Sequence, residues 1–435
     1  MSINIDELNN EIIIDGLYWV ARWRINNGKD DSFVVPFPTT YPVNIVYHGE
    51  RKFKYGQYGI HLGQQDVLTF LGSAKKRILA KFIDCRIGSP TFKHKQEFYI
   101  TPSSAKTLVI PPGVAHTFHN LEYVYTLNSY KILLPTLEQI CCGEVHWTPE
   151  SDIINIPEDI ELDDITGYLP MSEEASDLVY HQIGKFQFEN LNMHRYQHAE
   201  TRKFTLDNGE VINVRVREEN HERSKSVLPE SKIEGVVFQE LPSIKTGAES
   251  CIVPLTRQSP LYLVEHGEEN YDFDSYGLHL GQEDHLVFLG NSTQKITLKL
   301  VDMREGSNSQ FMEEEITFFP SPYIELIIPC GVAHALSNMA KIITVNRPVL
   351  YLDEQFQYLP GNDVIDWPIN DVNYMSYKVN TIEANSEYYA HIVTQQLEVI
   401  KTPPTHNTPK SVVIYDESIG KHVKVILKEK VEGRA

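Results

Sequence analysis

The sequence has little cysteine, no long apolar run and no block of positive charge. Its five cysteines in 435 residues (Cys85, Cys141, Cys142, Cys251 and Cys330) are scattered, without a Cys-x-x-Cys spacing. That excludes a disulfide framework and a zinc knuckle, and leaves reduced, mostly buried thiols. Nothing approaches the ~20 consecutive apolar residues that cross a bilayer. The opening MSINIDELNNEIIIDG is acidic, unlike a secretory signal. A cytoplasmic protein with no membrane partner is expected. Basic residues (39) are outnumbered by acidic ones (59), for a net charge of −20. Such a surface repels polyanions and excludes nucleic acid, although a few local cations can still hold a small anionic ligand. Helix-period stretches are scarce too, and PMSEEASDLVYHQIGKF (170–186) is the one candidate for a short helix.

The dominant positive feature is a repeat. QYGIHLGQQDVLTFLGS (57–73) matches SYGLHLGQEDHLVFLGN (275–291) at an offset of 218, and the register continues without a gap from His61/His279 to Asn128/Asn346. Two copies of one domain follow, over 1–225 and 226–435. Each copy ends in alternating apolar residues around a turn, FTLDNGEVINVRVREE (204–219) and VIYDESIGKHVKVILKE (413–429), the pattern of a β-hairpin. The charged, aperiodic stretch 219–232 reads as the linker.

Within each copy short apolar runs such as VNIVY, DVLTFLG and RILAKFID are separated by Gly, Pro and Ser turns. This spacing predicts antiparallel sandwiches or barrels, so the fold class is all-β, twice over. IPPGVAHTFHN (110–120) and IPCGVAHALSN (328–338) place Pro-x-Gly, a histidine and an asparagine between two strands. Proline ends one strand, glycine makes the turn, and the histidine begins the next strand pointing inward. This loop resembles the second motif of the cupin superfamily, which implies two tandem jelly-roll barrels, each with its terminal hairpin.

The first cupin motif is reduced to one histidine per copy, His61 or His279, followed by Asp66 or Asp284. His61, Asp66 and His116 form a candidate two-His-one-carboxylate metal site. More specifically, GIHLGQ, DCRIGSPTF (84–92), LVIPPGVAHTF (108–118) and YTLN (125–128) occur in that order. Together they resemble the dTDP-4-dehydrorhamnose 3,5-epimerase family, and the tandem is RmlC-like in that sense. VIDWP (364–368) is similar to that family's Asp-Trp-Pro, with HWTP (146–149) a weaker echo.

The resemblance implies metal-free proton abstraction beside the ketone of a nucleotide-linked 4-keto-6-deoxy sugar, with no cofactor. It makes His61 the base and Tyr125 the acid. Asp84, Arg86, His116, Asn44 and Tyr58 are the expected substrate contacts, and His279, Asp302 and His334 their second-copy counterparts. Two features depart from the family: Tyr58 stands where an arginine is expected, and no lysine stands about ten residues after His61, with Lys75 and Lys76 the nearest. Tyr125 falls on Ile343, so the first copy is the expected catalyst and the second its partner in an intramolecular pseudo-dimer, alone or within a homo-oligomer. Two further readings stay open, a metal-dependent cupin oxygenase or isomerase and a non-catalytic carbohydrate-binding protein.

Overall fold

The computed structural model describes residues 4–22, 24–26, 32–37, 39, 42–137, 153–180, 196–206, 209, 211–219, 228–245, 250–269, 271–352, 364–380, 382–383, 410–416 and 421–427. The fold is all-β: two tandem cupin jelly rolls, each made of a five-stranded sheet facing a nine-stranded one. In the first barrel the small sheet runs Ile153–Pro157, Gln57–His61, Val114–His119, Ile78–Asp84, Lys95–Ile100. The central path of its large sheet runs Tyr18–Ala21, Lys106–Ile110, Gln64–Leu71, Tyr125–Asn128, Val43–Tyr47. The second barrel repeats this order, with Val364–Pro368 beside Ser275–His279 as Ile153–Pro157 lies beside Gln57–His61. The structural counterpart of VIDWP is therefore IINIP (153–157), while HWTP lies outside the described residues.

The sheets do not follow a cut of the chain between 225 and 226. Strand Val43–Tyr47 is flanked by Cys251–Leu255 of the second copy, and Leu261–Glu265 by Phe33–Phe37 of the first. The copies thus exchange equivalent strands, with Pro254 opposite Asn44 and Pro36 opposite Tyr262. Alternation along each strand explains why the exchange is stable. In Gln64–Leu71, Leu68 and Phe70 join the barrel interior with Phe82, Leu108 and Phe118, whereas Leu71 faces the other way. The outward faces of the two large sheets stack into a shared core that includes Phe37, Ile45, Leu127, Val253, Leu263 and Val345. Each such fully buried side chain contributes about 1.5–3 kcal/mol.

The terminal hairpins are present as Tyr196–Thr205 with Val211–Glu219 and Lys410–Asp416 with Lys421–Leu427. Each forms a two-stranded sheet of its own. Of the expected helix at 170–186, residues 177–180 are helical, Glu173–Glu174 is a strand, and 181–186 lie outside the described residues. Among the described residues no helix is long and apolar enough to cross a membrane.

Candidate functional site

His61 closes strand Gln57–His61, and the pleat puts it on the face opposite Tyr58 and Ile60. His116 lies on the neighbouring strand Val114–His119, on the same inward face as Val114 and Phe118. Asp66 reaches them from Gln64–Leu71 in the large sheet. Its Oδ2 lies 3.2 Å from His116 Nε2 and 3.9 Å from His61 Nε2. Its Oδ1 accepts hydrogen bonds from Gln64 Nε2 at 2.7 Å and Asn128 Nδ2 at 2.9 Å. One carboxylate oxygen is thus filled by amides while the other faces two imidazoles. The imidazole rings stack with centroids 6.0 Å apart. Both histidines are partly exposed, at 19% and 13% of their side chains, against 4% for Asp66.

Burial alone would push the Asp66 carboxyl up. The positive potential of His61 and His116, with hydrogen bonds from His116 and Asn128, outweighs that and holds it well below the ordinary carboxylate range. His116 Nδ1 lies 3.2 Å from the Val114 carbonyl, which orients the ring with Nε2 toward Asp66.

The second barrel builds the same cluster. Asp284 Oδ2 is 3.4 Å from His334 and 3.7 Å from His279, and its Oδ1 accepts from Gln282 and Asn346, each at 2.7 Å. The rings of His279 and His334 again stack, at 6.1 Å.

The Pro-x-Gly loop holds this arrangement in place. Gly113 has φ +82°, donates from its N–H to the His61 carbonyl at 2.7 Å, and accepts from Cys85 N–H at 3.1 Å. A Cβ there would stand 2.5 Å from Arg86 Cγ, so only glycine fits. Gly331 repeats all of this with His279, Met303 and Arg304.

Several expected contacts fall elsewhere. Asp84 and Arg86 do not join the histidine cluster, because they are consumed by a structural knot. Asp84 accepts from Arg86 Nε (2.8 Å) and Nη2 (2.7 Å), Ser89 Oγ (2.5 Å) and Thr91 Oγ1 (2.7 Å), while Arg86 Nη2 also donates to the Asp15 carbonyl. Asp302 makes the same knot with Arg304, Ser307 and Ser309, so the loss of the SPTF string changed the letters and kept the hydroxyls.

Tyr58 points to the outer cluster with Ile60, Ile83, Cys85 and Ile165. Tyr125 faces the core between the copies, stacked on Tyr47 at 4.8 Å, and its hydroxyl donates to the Gly290 carbonyl at 2.9 Å. It stands three residues from Asn128, an odd spacing, and therefore projects from the opposite face of the strand. Lys76 is paired with Glu122.

Asn44 is directly across from Asn128 and shares its inward face. Its Oδ1 is buried without a hydrogen-bond partner among the described residues. The amides Gln64 and Asn128 were not among the expected site residues, although the repeat retains both, and neither was Tyr55. The Tyr55 phenol lies 3.2 Å from His48 Nε2 and is pushed up to about 12 by burial and then by the charge of Asp66.

Two jelly rolls in one chain, each with a histidine pair around a buried carboxylate, define a tandem cupin similar to the RmlC-like epimerases. Residues 57–141, within the first copy, match the family model described as dTDP-4-dehydrorhamnose 3,5-epimerase. No curated protein matches the chain in sequence. Among solved structures, a dTDP sugar isomerase from Desulfovibrio desulfuricans is 16% identical, with 32% of this chain and 87% of that one covered and a TM-score of 0.25. The TDP-fucose-3,4-ketoisomerase of Campylobacter jejuni is 11% identical over 28% of this chain and 87% of that one, with a TM-score of 0.22. Vicilin from Capsicum annuum is 10% identical over 77% and 87%, with a TM-score of 0.24. Likenesses this weak carry no functional information.

Proposed function

We propose that the first barrel isomerises a nucleotide-linked 4-keto-6-deoxy sugar by moving a proton at the carbon beside the keto group, with His61 as the base. The observation that carries this is the imidazole pair His61/His116 sharing one oxygen of a buried carboxylate at a partly exposed position. The family match over 57–141 supports the substrate class. His61 Nε2 takes the C3 proton, and Asp66 stabilises the imidazolium that forms. The electron pair released moves onto O4 as an enolate. Asn44 shares the inward face of Asn128, and its unsatisfied Oδ1 would accept a hydrogen bond from a sugar hydroxyl.

With Tyr125 turned to the outer face, keto-group migration fits better than epimerisation. An epimerase needs a proton donor on the opposite face of the sugar, whereas a ketoisomerase can work from one. In that reaction a proton passes from O3 to O4 in the enediol. His61, its proton exchanged with solvent in the interval, then protonates C4, leaving the ketone at C3, with atoms and electrons conserved. The working unit is the pair of copies, 1–225 and 226–435, joined as a pseudo-dimer in the cytoplasm.

The test is proton NMR of dTDP-linked 4-keto-6-deoxy sugars incubated with the protein in deuterated water. A new 3-keto signal with deuterium at C4, abolished by His61→Asn, supports ketoisomerisation. Deuterium at C3 or C5 with the ketone retained at C4 supports epimerisation instead. No exchange with any sugar, from protein shown to be folded, refutes both.

A further inference from the structure

The first barrel carries a phenol that the second lacks at the same position, and the bonds around it fix where its proton points. Tyr55 packs against the interior of the first barrel. Its hydroxyl is 3.2 Å from His48 Nε2, while His48 Nδ1 is 3.0 Å from the Val124 carbonyl. A carbonyl only accepts, so Nδ1 carries the imidazole proton. Burial lowers His48 to about 4 and keeps the ring neutral at ordinary pH. Nε2 is therefore bare, and Tyr55 must donate to it. The phenol proton is committed, and burial followed by the charge of Asp66 keeps it from dissociating. What the oxygen still offers is its lone pairs, which makes Tyr55 an acceptor toward anything else in the barrel.

Packing does not demand this arrangement. At the 218 offset His48, Phe53 and Tyr55 become His266, Tyr271 and Phe273. Both trios hold their rings at the same centroid distances of 5.3, 5.9 and 5.1 Å. His266 Nδ1 likewise meets the Ile342 carbonyl at 3.0 Å. The hydroxyl alone has moved: it sits on Tyr271, in the place of Phe53, and bonds to Ser32. The fold needs three rings, and only the first barrel sets a phenol oxygen where the charge of Asp66 reaches it.

The identity of a matching donor rests on the proton transfer proposed above. A 4-keto-6-deoxyhexose joined to its nucleotide through C1 keeps two hydroxyls, on C3 and C2. The first takes part in keto-group migration, which leaves the second for recognition. Asn44, opposite the Asn128 that bonds to Asp66, serves the reacting edge. We propose that Tyr55 accepts a hydrogen bond from the C2 hydroxyl and makes the first barrel selective for 2-hydroxy over 2-deoxy sugars.

The experiment is calorimetric titration of full-length His61→Asn protein, which lacks the proposed base, with a dTDP-linked 4-keto-6-deoxyhexose and with its 2-deoxy counterpart. About tenfold tighter binding of the 2-hydroxy sugar is expected, the effect of one neutral hydrogen bond. Adding Tyr55→Phe should bring the two affinities together by weakening the 2-hydroxy sugar alone. In protein with His61 intact, Tyr55→Phe should raise KM for that sugar and leave kcat in place. A purely structural phenol would instead weaken both sugars alike, and that result overturns the proposal. So does a preference that survives Tyr55→Phe. Equal affinities with Tyr55 present overturn it without any change at that residue, and leave the proton transfer standing where deuterium exchange is seen. Binding of neither sugar removes both this selectivity and the reaction on which it rests.

Discussion

Asn128 Nδ2 donates to Asp66 Oδ1 at 2.9 Å, and this bond decides which face of strand Tyr125–Asn128 looks into the barrel. Asn128 faces the histidines, so Tyr125 must face the other copy.

Tyr125→Phe is therefore expected to retain isotope exchange, where a catalytic phenol would lose it. The lost bond to Gly290 should cost about 0.5–1.5 kcal/mol, read as a lower urea midpoint. Loss of exchange in a folded Tyr125→Phe protein would restore the acid to this residue.

Asp84→Ala should destabilise the protein by about 3–5 kcal/mol, because it strands the Arg86 guanidinium and the hydroxyls of Ser89 and Thr91 without their acceptor. A merely weakened substrate affinity, with the denaturation midpoint unchanged, would mean that the knot serves the ligand instead.

Gly113→Ala combines a positive φ with a Cβ only 2.5 Å from Arg86 Cγ. Strain of about 1–3 kcal/mol is expected, together with a fall in turnover as the tether from Gly113 N–H to the His61 carbonyl shifts. Calorimetry and turnover should move together.

His48 and His266 are buried, each bonded to a carbonyl, Val124 or Ile342. Burial lowers both to about 4, against the opposing effect of those carbonyls. Between pH 6.5 and 4 the unfolded chain takes up protons that the folded one refuses. Stability is thus full above about 6.5 and falls as the pH drops toward 4, by up to about 1 kcal/mol per pH unit for each histidine. Urea melts across this window should show a shallower pH slope in His48→Gln/His266→Gln.

Much of this was legible in the sequence. The 218 offset showed two copies, the alternation showed strands and hairpins, and the Pro-x-Gly-x-x-His string placed His116 inside. Tyr125 was misplaced because a motif fixes neighbours along the chain, while the facing of a side chain depends on register with strands that lie far off in sequence. Asp84 and Arg86 two residues apart share a face, and spacing cannot distinguish a ligand contact from a self-contained ion pair. The exchange was hidden for a different reason. FVVPF (33–37) and CIVPL (251–255) carry the same apolar alternation, so either could complete either sheet.

That exchange governs how the chain comes together in time. Arg24 and Glu265 meet across the exchanged strands at 2.8 Å, 241 positions apart. As the chain emerges from the ribosome, Phe33–Phe37 has only the two-residue strand Ile25–Asn26 beside it until Leu261–Glu265 has been made, and Val43–Tyr47, paired on one edge with Tyr125–Asn128, keeps its other edge open until Cys251–Leu255 follows. Neither barrel can finish first. Such late, long-range pairing makes for slow folding and leaves an apolar edge exposed meanwhile. Two nascent copies held close on one messenger could therefore trade strands with each other before either is complete.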